Sequence, residues 1–197
     1  MNMVGKGRLA AGMILAVIAA ASLASWATAE RQPADAGRAL VAAGDCKNAR
    51  TPVRELSTGA VRSTLLCLVN DERRRHARKP FTRSTALQSA AQRHAEKMAE
   101  TECLSHQCPG EGSLASRIRR SGYPEGADHW EFAENTGCGL TVEAMVKNWL
   151  ASRYHRINTL ESKFEDLGVG YSKGRVEDRC KASYGTFAAV FAMRRPD

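Results

Sequence analysis

Leu167-Gly168-Val169-Gly170-Tyr171 and Phe187-Ala188-Ala189-Val190-Phe191, near the end of the 197-residue chain, are two short apolar runs separated by a polar, charged stretch over 172–183. Each run has the length and residue types of a strand, and the stretch between them reads as their connection. Working back from them, every earlier apolar pattern is helical. Val142, Met145, Val146, Trp149 and Leu150 fall at i, i+3, i+4, i+7 and i+8, with Thr141 placed as N-cap. That spacing predicts a helix over 142–150. Val61, Leu65, Leu68 and Val69 mark another, from Gly59 to near His76 and closed by Pro80. Leu87, Ala90, Ala91, His94 and Met98 mark a third over 85–99, behind Ser84 or Thr85 as cap. A shorter helix is expected over 114–120, stopping at Gly122. Helices first and strands last predict an α+β domain in which helices pack on a small antiparallel sheet.

The other end of the chain reads as a targeting segment. Lys6 and Arg8 precede an apolar run over 9–24, and Ala27-Thr28-Ala29 supplies the small residues of a cleavage site, so 1–29 reads as a signal peptide and Glu30 as the mature start. An uncleaved anchor is the alternative, because 9–29 is nearly long enough to span a bilayer. Residues 30–58 have no sustained periodicity and read as an extended lead-in, with a short helix around 36–43, before a domain over 59–197. All six cysteines (Cys46, Cys67, Cys103, Cys108, Cys138 and Cys180) lie in the exported part. An even count outside the cytosol favours three disulfides. Six cysteines allow fifteen connectivities, and pairing by proximity gives Cys46–Cys67, Cys103–Cys108 and Cys138–Cys180. A zinc-thiolate site is the weaker alternative, since no C-x-x-C pair occurs.

Composition is that of a globular protein: 43% hydrophobic and 25% charged residues exclude low-complexity disorder. Removing Lys6 and Arg8 from 29 basic residues leaves 27 against 21 acidic ones, a net +6. The basic run Arg73-Arg74-Arg75-His76-Ala77-Arg78-Lys79 closes a helix, where cations oppose the negative end of the dipole. With only 6% aromatic residues there is little to stack on bases, so no nucleic-acid partner is expected. The familiar catalytic signatures are absent. There is no G-x-S-x-G elbow, His94 has no second histidine four residues on, and Gly168-Val169-Gly170 lacks the third glycine of a dinucleotide loop. A cysteine protease would need a free thiol. What remains is Ser105-His106, Ala133-Glu134-Asn135 and Tyr154-His155-Arg156-Ile157-Asn158, read as loops between elements. Two imidazoles and a carboxylate from three segments suit a metal ion with an open position.

At these residues the chain resembles the CAP superfamily of cysteine-rich secretory proteins, antigen 5 and plant pathogenesis-related proteins. Leu65 to Arg73, Ala91-Gln92-Arg93-His94-Ala95, Leu104-Ser105-His106, Arg117-Ile118 and Gly122-Tyr123 carry the first half of the likeness. Ala133-Glu134-Asn135, Val146-Lys147-Asn148-Trp149-Leu150, His155-Arg156-Ile157-Asn158 and Asp166-Leu167-Gly168-Val169-Gly170 carry the second. The export signal and short size look most like bacterial secreted members.

The resemblance implies an α-β-α sandwich, with helices on both faces of a three- or four-stranded antiparallel sheet. It implies a cleft in which His106 is the first histidine, Glu134 the glutamate of the E-N motif and His155 the second histidine, with Glu143 carried as the second acidic residue. Some relatives bind zinc or another divalent ion there, which makes His106 and His155 the expected metal ligands. Relatives often have a Trp-Thr-Gln-like set where this chain has Phe187-Ala188-Ala189, which removes polar groups that a demanding catalyst would use. His94 is expected to be a satisfied core histidine. The expected protein is therefore a secreted, monomeric, non-enzymatic binding module whose His/Glu cleft takes a divalent metal, a small molecule, a lipid or an envelope component. The alternative is a zinc-dependent, protease-like hydrolase using the same cleft.

Overall fold

The computed structural model describes residues 46–174, 176, 179–181 and 184–195. The expected signal peptide and the helix over 36–43 lie outside the described residues. In chain order the elements are α1 (Thr58–Arg75), β1 (Thr82–Arg83), α2 (Thr85–Glu100), α3 (Leu114–Arg119), β2 (His129–Gly139), α4 (Val142–Ala151), α5 (Arg153–Leu160), β3 (Asp166–Ser172) and β4 (Gly185–Arg195), with a 3-10 turn at Val53–Glu55. Ser57, Ser84, Ser113 and Thr141 accept from the backbone N–H three residues on, which fixes where α1, α2, α3 and α4 begin.

The sheet order is β1-β3-β4-β2, which makes β2 an outer strand. The two-residue β1 runs parallel to β3, and the other pairs are antiparallel. The sheet is thus mixed by one short strand rather than purely antiparallel. Strand β4 is buried on both faces and divides the core by its period of two. Phe187, Ala189 and Phe191 join Val61, Leu65, Leu68, Val142, Met145 and Trp149, so α1 and α4 cover one face. Ala188, Val190 and Ala192 join Leu87, Ala91, Met98 and Ile118, so α2 and α3 cover the other. This is the expected sandwich.

Two glycines set the depth of the second layer. On β3, Leu167, Val169 and Tyr171 face α1, while Gly168 and Gly170 face α2. A methyl on Gly168 would stand 2.1 Å from the Leu87 carbonyl carbon, and one on Gly170 2.1 Å from the Ala91 carbonyl oxygen. The backbone of α2 therefore rests directly on the strand, an approach only glycine permits.

Three readings need correction. Ala133-Glu134-Asn135, expected as a loop, lies in the middle of β2, and Tyr154 to Asn158, also expected as a loop, forms α5. The second half of the lead-in is part of the folded domain: Val53 is fully buried, Leu56 packs in the first core cluster, and Cys46 is tied to Cys67 on α1. The other disulfides are Cys103–Cys108 and Cys138–Cys180, as proximity suggested. Replacing Cys46 and Cys67 by serine frees the chain ahead of α1. It is expected to lower stability by about 3 kcal/mol on the loop-entropy argument, read as a lower urea midpoint.

The basic run that closes α1 does not act as one surface. Arg73 is fully buried and donates to the carbonyls of Lys79, Thr159, Glu161 and Phe164, with its guanidinium 3.7 Å from the Phe81 ring centroid. Burial, with Arg78 nearby, lowers its pKa to about 10, so it stays charged at neutral pH. Arg74 pairs with Asp71, and Arg75 with Asp71 and Glu72.

Candidate functional site

Strand β2 carries Glu134 opposite Val190, on the face covered by α2 and α3. An isolated carboxylate at such depth is costly, so it needs partners. Arg117 of α3 supplies them: Nη1 donates to Oε2 at 2.8 Å and Nη2 to Oε1 at 3.2 Å, a bidentate pair whose side chains are 2% and 1% exposed. Nη2 also donates to the His106 carbonyl at 2.7 Å. The His106 ring stands in the loop closed by Cys103–Cys108, with Nδ1 3.0 Å from Glu134 Oε1 and the ring largely exposed.

Behind this pair lies a second layer. His94 of α2 is fully buried, with Nδ1 2.8 Å from Glu111 Oε2 and Nε2 2.9 Å from the Ser105 carbonyl. Both ring nitrogens thus face acceptors. Nε2 also stands 3.6 Å from Glu134, and Arg117 Nε 3.5 Å from Glu111. The expectation of a satisfied core histidine holds. Arg117 and Glu111 complete a buried ionic network that sequence reading did not assemble. No pattern in the sequence put Glu134 on a strand, and only the folded arrangement brings Arg117, beside the apolar Ile118 on α3, to it.

His155 approaches from the opposite side of β2. Helix α5 packs on α4 and on β2, and Asn135 donates to the His155 carbonyl at 3.0 Å. Asn158 donates to Asn135 Oδ1 and to the Glu134 carbonyl, and Trp149 Nε1 donates to the Thr136 carbonyl. The two asparagines bond backbone, as expected, though from a strand and a helix rather than from turns. Burial, then the positive charge of His106, pushes the His155 pKa down. The charge of His106 thus reaches the ring of His155.

Glu143 does not join them. It sits in the first turn of α4, on the face covered by α1, and its carboxylate pairs with Arg50 and Lys147. Helical phase explains this: the start of α4 lies against Ala49, whose carbonyl accepts from Glu143 N–H.

The hydrogen bond to Glu134 raises the His106 pKa above its ordinary 6.5, with burial opposing. Burial works to raise that of Glu134, but His106 and Arg117 outweigh it and hold the carboxyl below its usual range. The linkage signs are opposite for the two histidines. The His106 contribution to stability is complete below pH 6.5 and is lost as pH rises through its folded pKa. Folding disfavours the charged form of His155, so its contribution is present above pH 6.5 and is lost as pH falls through its folded pKa. NMR titration is expected to place His106 above and His155 below 6.5. His106→Asn is expected to let His155 move up; an unmoved His155 would mean that the rings do not sense each other.

Comparison with known proteins agrees with this fold. Residues 66–189 match the family model described as CAP, the cysteine-rich secretory protein family. A curated relative, "Uncharacterized protein YkwD" of Bacillus subtilis, is 29% identical over 146 residues, covering 73% of this chain and 55% of its own. The chain thus spans about half the length of that relative. Among solved structures, an extracellular protein containing a SCP domain from Bacillus anthracis superposes with TM-score 0.56 at 25% identity, covering 68% of this chain and 40% of that one. An outer surface protein from Borrelia burgdorferi superposes with TM-score 0.56 at 18% identity, covering 66% of this chain and 90% of that one.

Proposed function

The chain belongs to the cysteine-rich secretory protein (CAP) family, and from that premise we infer that it is an exported, non-catalytic binding module whose cleft at the edge of β2 takes its ligand through His106 and His155. Export is supported by the three disulfides among the described residues and by the extracellular relative from Bacillus anthracis. Among the described residues no helix is long and apolar enough to cross a membrane.

The observation that carries the binding reading is the state of Glu134. Both its oxygens are taken by Arg117, and one also by His106. A carboxylate so held, 1% exposed and made less basic by His106 and Arg117, orients an imidazole and is a poor base toward water. The zinc-hydrolase alternative needs that freedom, and so it is the less supported reading.

A divalent ion such as zinc suits the two imidazoles. With Nδ1 turned to Glu134, His106 keeps Nε2 as its ligand atom, and the lowered pKa of His155 keeps that ring neutral. Among the described residues no three His, Cys, Asp or Glu side chains form a metal-holding group. Two imidazoles alone would hold such an ion weakly, with solvent in the other positions, unlike the three protein ligands of catalytic zinc. When bound, the ion would supply a positive centre for an oxygen of a small molecule, a lipid headgroup or an envelope glycan.

The test is titration of zinc into chelator-treated protein by calorimetry, beside a protease assay. One ion per chain is expected, with affinity about tenfold or more weaker in His155→Ala and no proteolysis. Equal uptake by wild type and by His106→Ala/His155→Ala, or no uptake at all, would overturn the assignment. Proteolysis abolished by His106→Ala would put the hydrolase reading first.

A further inference from the structure

A pocket of about 360 Å³ opens between α2 and α3. Arg93, Lys97, Glu111, Gly112, Arg117 and Arg120 line it. Arg93 reaches only the Ser89 hydroxyl, and neither Lys97 nor Arg120 meets a carboxylate within ion-pair distance among the described residues. Long cations on a helix face are ordinarily just solvated. Three features set this group apart.

The first is concavity, since cations from two helices face one space. The second is Gly112. A methyl there would stand 3.1 Å from both Arg120 Nη atoms and 2.9 Å from the Ser116 hydroxyl, so its missing side chain leaves room for the guanidinium at the wall. The third is an orphan donor at depth. Arg117 is 1% exposed, yet its buried Nε–H has no hydrogen-bond acceptor, Glu111 being 3.5 Å away. A buried donor without an acceptor is unfavourable, so the wall of the pocket at Arg117 carries an unmet demand for an oxygen. Glu111, the one acid in the lining, already faces His94 and Arg117, so it leaves the other cations uncompensated.

We propose that this pocket binds a phosphate-bearing anion. Guanidinium forks match the oxygens of a phosphoryl group bidentately, and its double charge answers the surplus of cations where a single carboxylate would not. The volume exceeds what a bare phosphate fills and lies in the range of small-ligand sites, which suits a sugar-sized phosphomonoester. The site is separate from the β2 cleft but shares Arg117 with it. That residue presents Nη1 and Nη2 to Glu134 and His106, while its Nε faces Glu111, which also lines the pocket.

The experiment titrates purified protein with inorganic phosphate, glucose 6-phosphate and glucose at low ionic strength, and sediments it with phosphatidylcholine vesicles with and without phosphatidic acid. Saturable binding of the phosphate-bearing probes, and none of glucose, is expected. Arg93→Ala/Arg120→Ala, both exposed positions, is expected to weaken that binding at least about tenfold. Gly112→Val is expected to weaken it without changing charge. Arg78→Ala/Arg153→Ala, which removes equal charge elsewhere, and His106→Ala/His155→Ala are expected to leave it unchanged. Arg93- and Arg120-dependent binding seen only with phosphatidic acid vesicles supports the site and identifies a lipid headgroup as its source. The proposal is overturned if no phosphate-bearing probe binds, if the Arg93/Arg120 variant binds like wild type, or if the Arg78/Arg153 variant loses as much.

Discussion

Gly170→Ala is expected to deprive the domain of its native fold. The added methyl would meet the Ala91 carbonyl oxygen at 2.1 Å, its carbon at 2.2 Å and the Gln92 nitrogen at 2.5 Å, all backbone atoms in mid-helix. No rotamer relieves such a clash, so α2 must lift from β3. Lifting it withdraws Leu87, Ala91, Ala95 and Met98 from Ala188, Val190 and Ala192. Overpacking in a core costs about 1–3 kcal/mol where neighbours can yield; here they cannot, and a loss above about 5 kcal/mol approaches the whole stability of a domain. Gly59→Ala on α1 is the control, since its nearest neighbour would be 3.9 Å away, and it is expected to be neutral or slightly stabilising. Circular dichroism and urea unfolding read both. A Gly170→Ala protein as stable as wild type would mean that α2 does not rest on the strand.

Arg117→Met is expected to cost about 3–5 kcal/mol, because it leaves the carboxylates of Glu134 and Glu111 buried and short of their cation. Replacing both partners, as in Arg117→Met/Glu134→Leu, is expected to cost less than the two single changes together. The pH dependence should invert as well. Wild type loses the contribution of Glu134 as pH falls through its lowered pKa. Without Arg117 burial dominates, the carboxyl prefers its proton, and the variant recovers part of its deficit on acidification. Additive effects in the double variant, or a deficit independent of pH, would show that the two side chains are not coupled.

Both predictions concern α2, α3 and β2, and they mark where sequence patterning was informative. The helices over 58–75, 85–100 and 142–151 were legible to within a residue or two, because each combines a 3.6-residue apolar stripe with a serine or threonine cap. Strands β3 and β4 were legible because burial on both faces makes them continuously apolar. Strand β2 was not. Glu131, Glu134 and Asn135 interrupt its alternation, and it is held by eleven pairings with β4 and by partners for its charge that lie far away in sequence. Helix α5 was hidden for a related reason: of its eight residues only Thr159 is buried, so no stripe marks it. The site divides the same way. His106, Glu134 and His155 were singled out by residue type and given roles by likeness to a family, whereas Arg117 and Glu111 emerge only once α3 and the 103–108 loop are folded against α2. Glu143, carried from the same likeness, has Arg50 and Lys147 as its partners.

The outer position of β2 has one more consequence. An uncovered strand edge invites another chain to continue the sheet, the route to fibrils and to adventitious dimers. In this protein the outward carbonyls of Glu134 and Thr136 are already stoppered by the Asn158 amide and the Trp149 indole. These two side chains therefore also keep the sheet from growing, so trimming Asn158 would expose the molecule to self-association at high concentration.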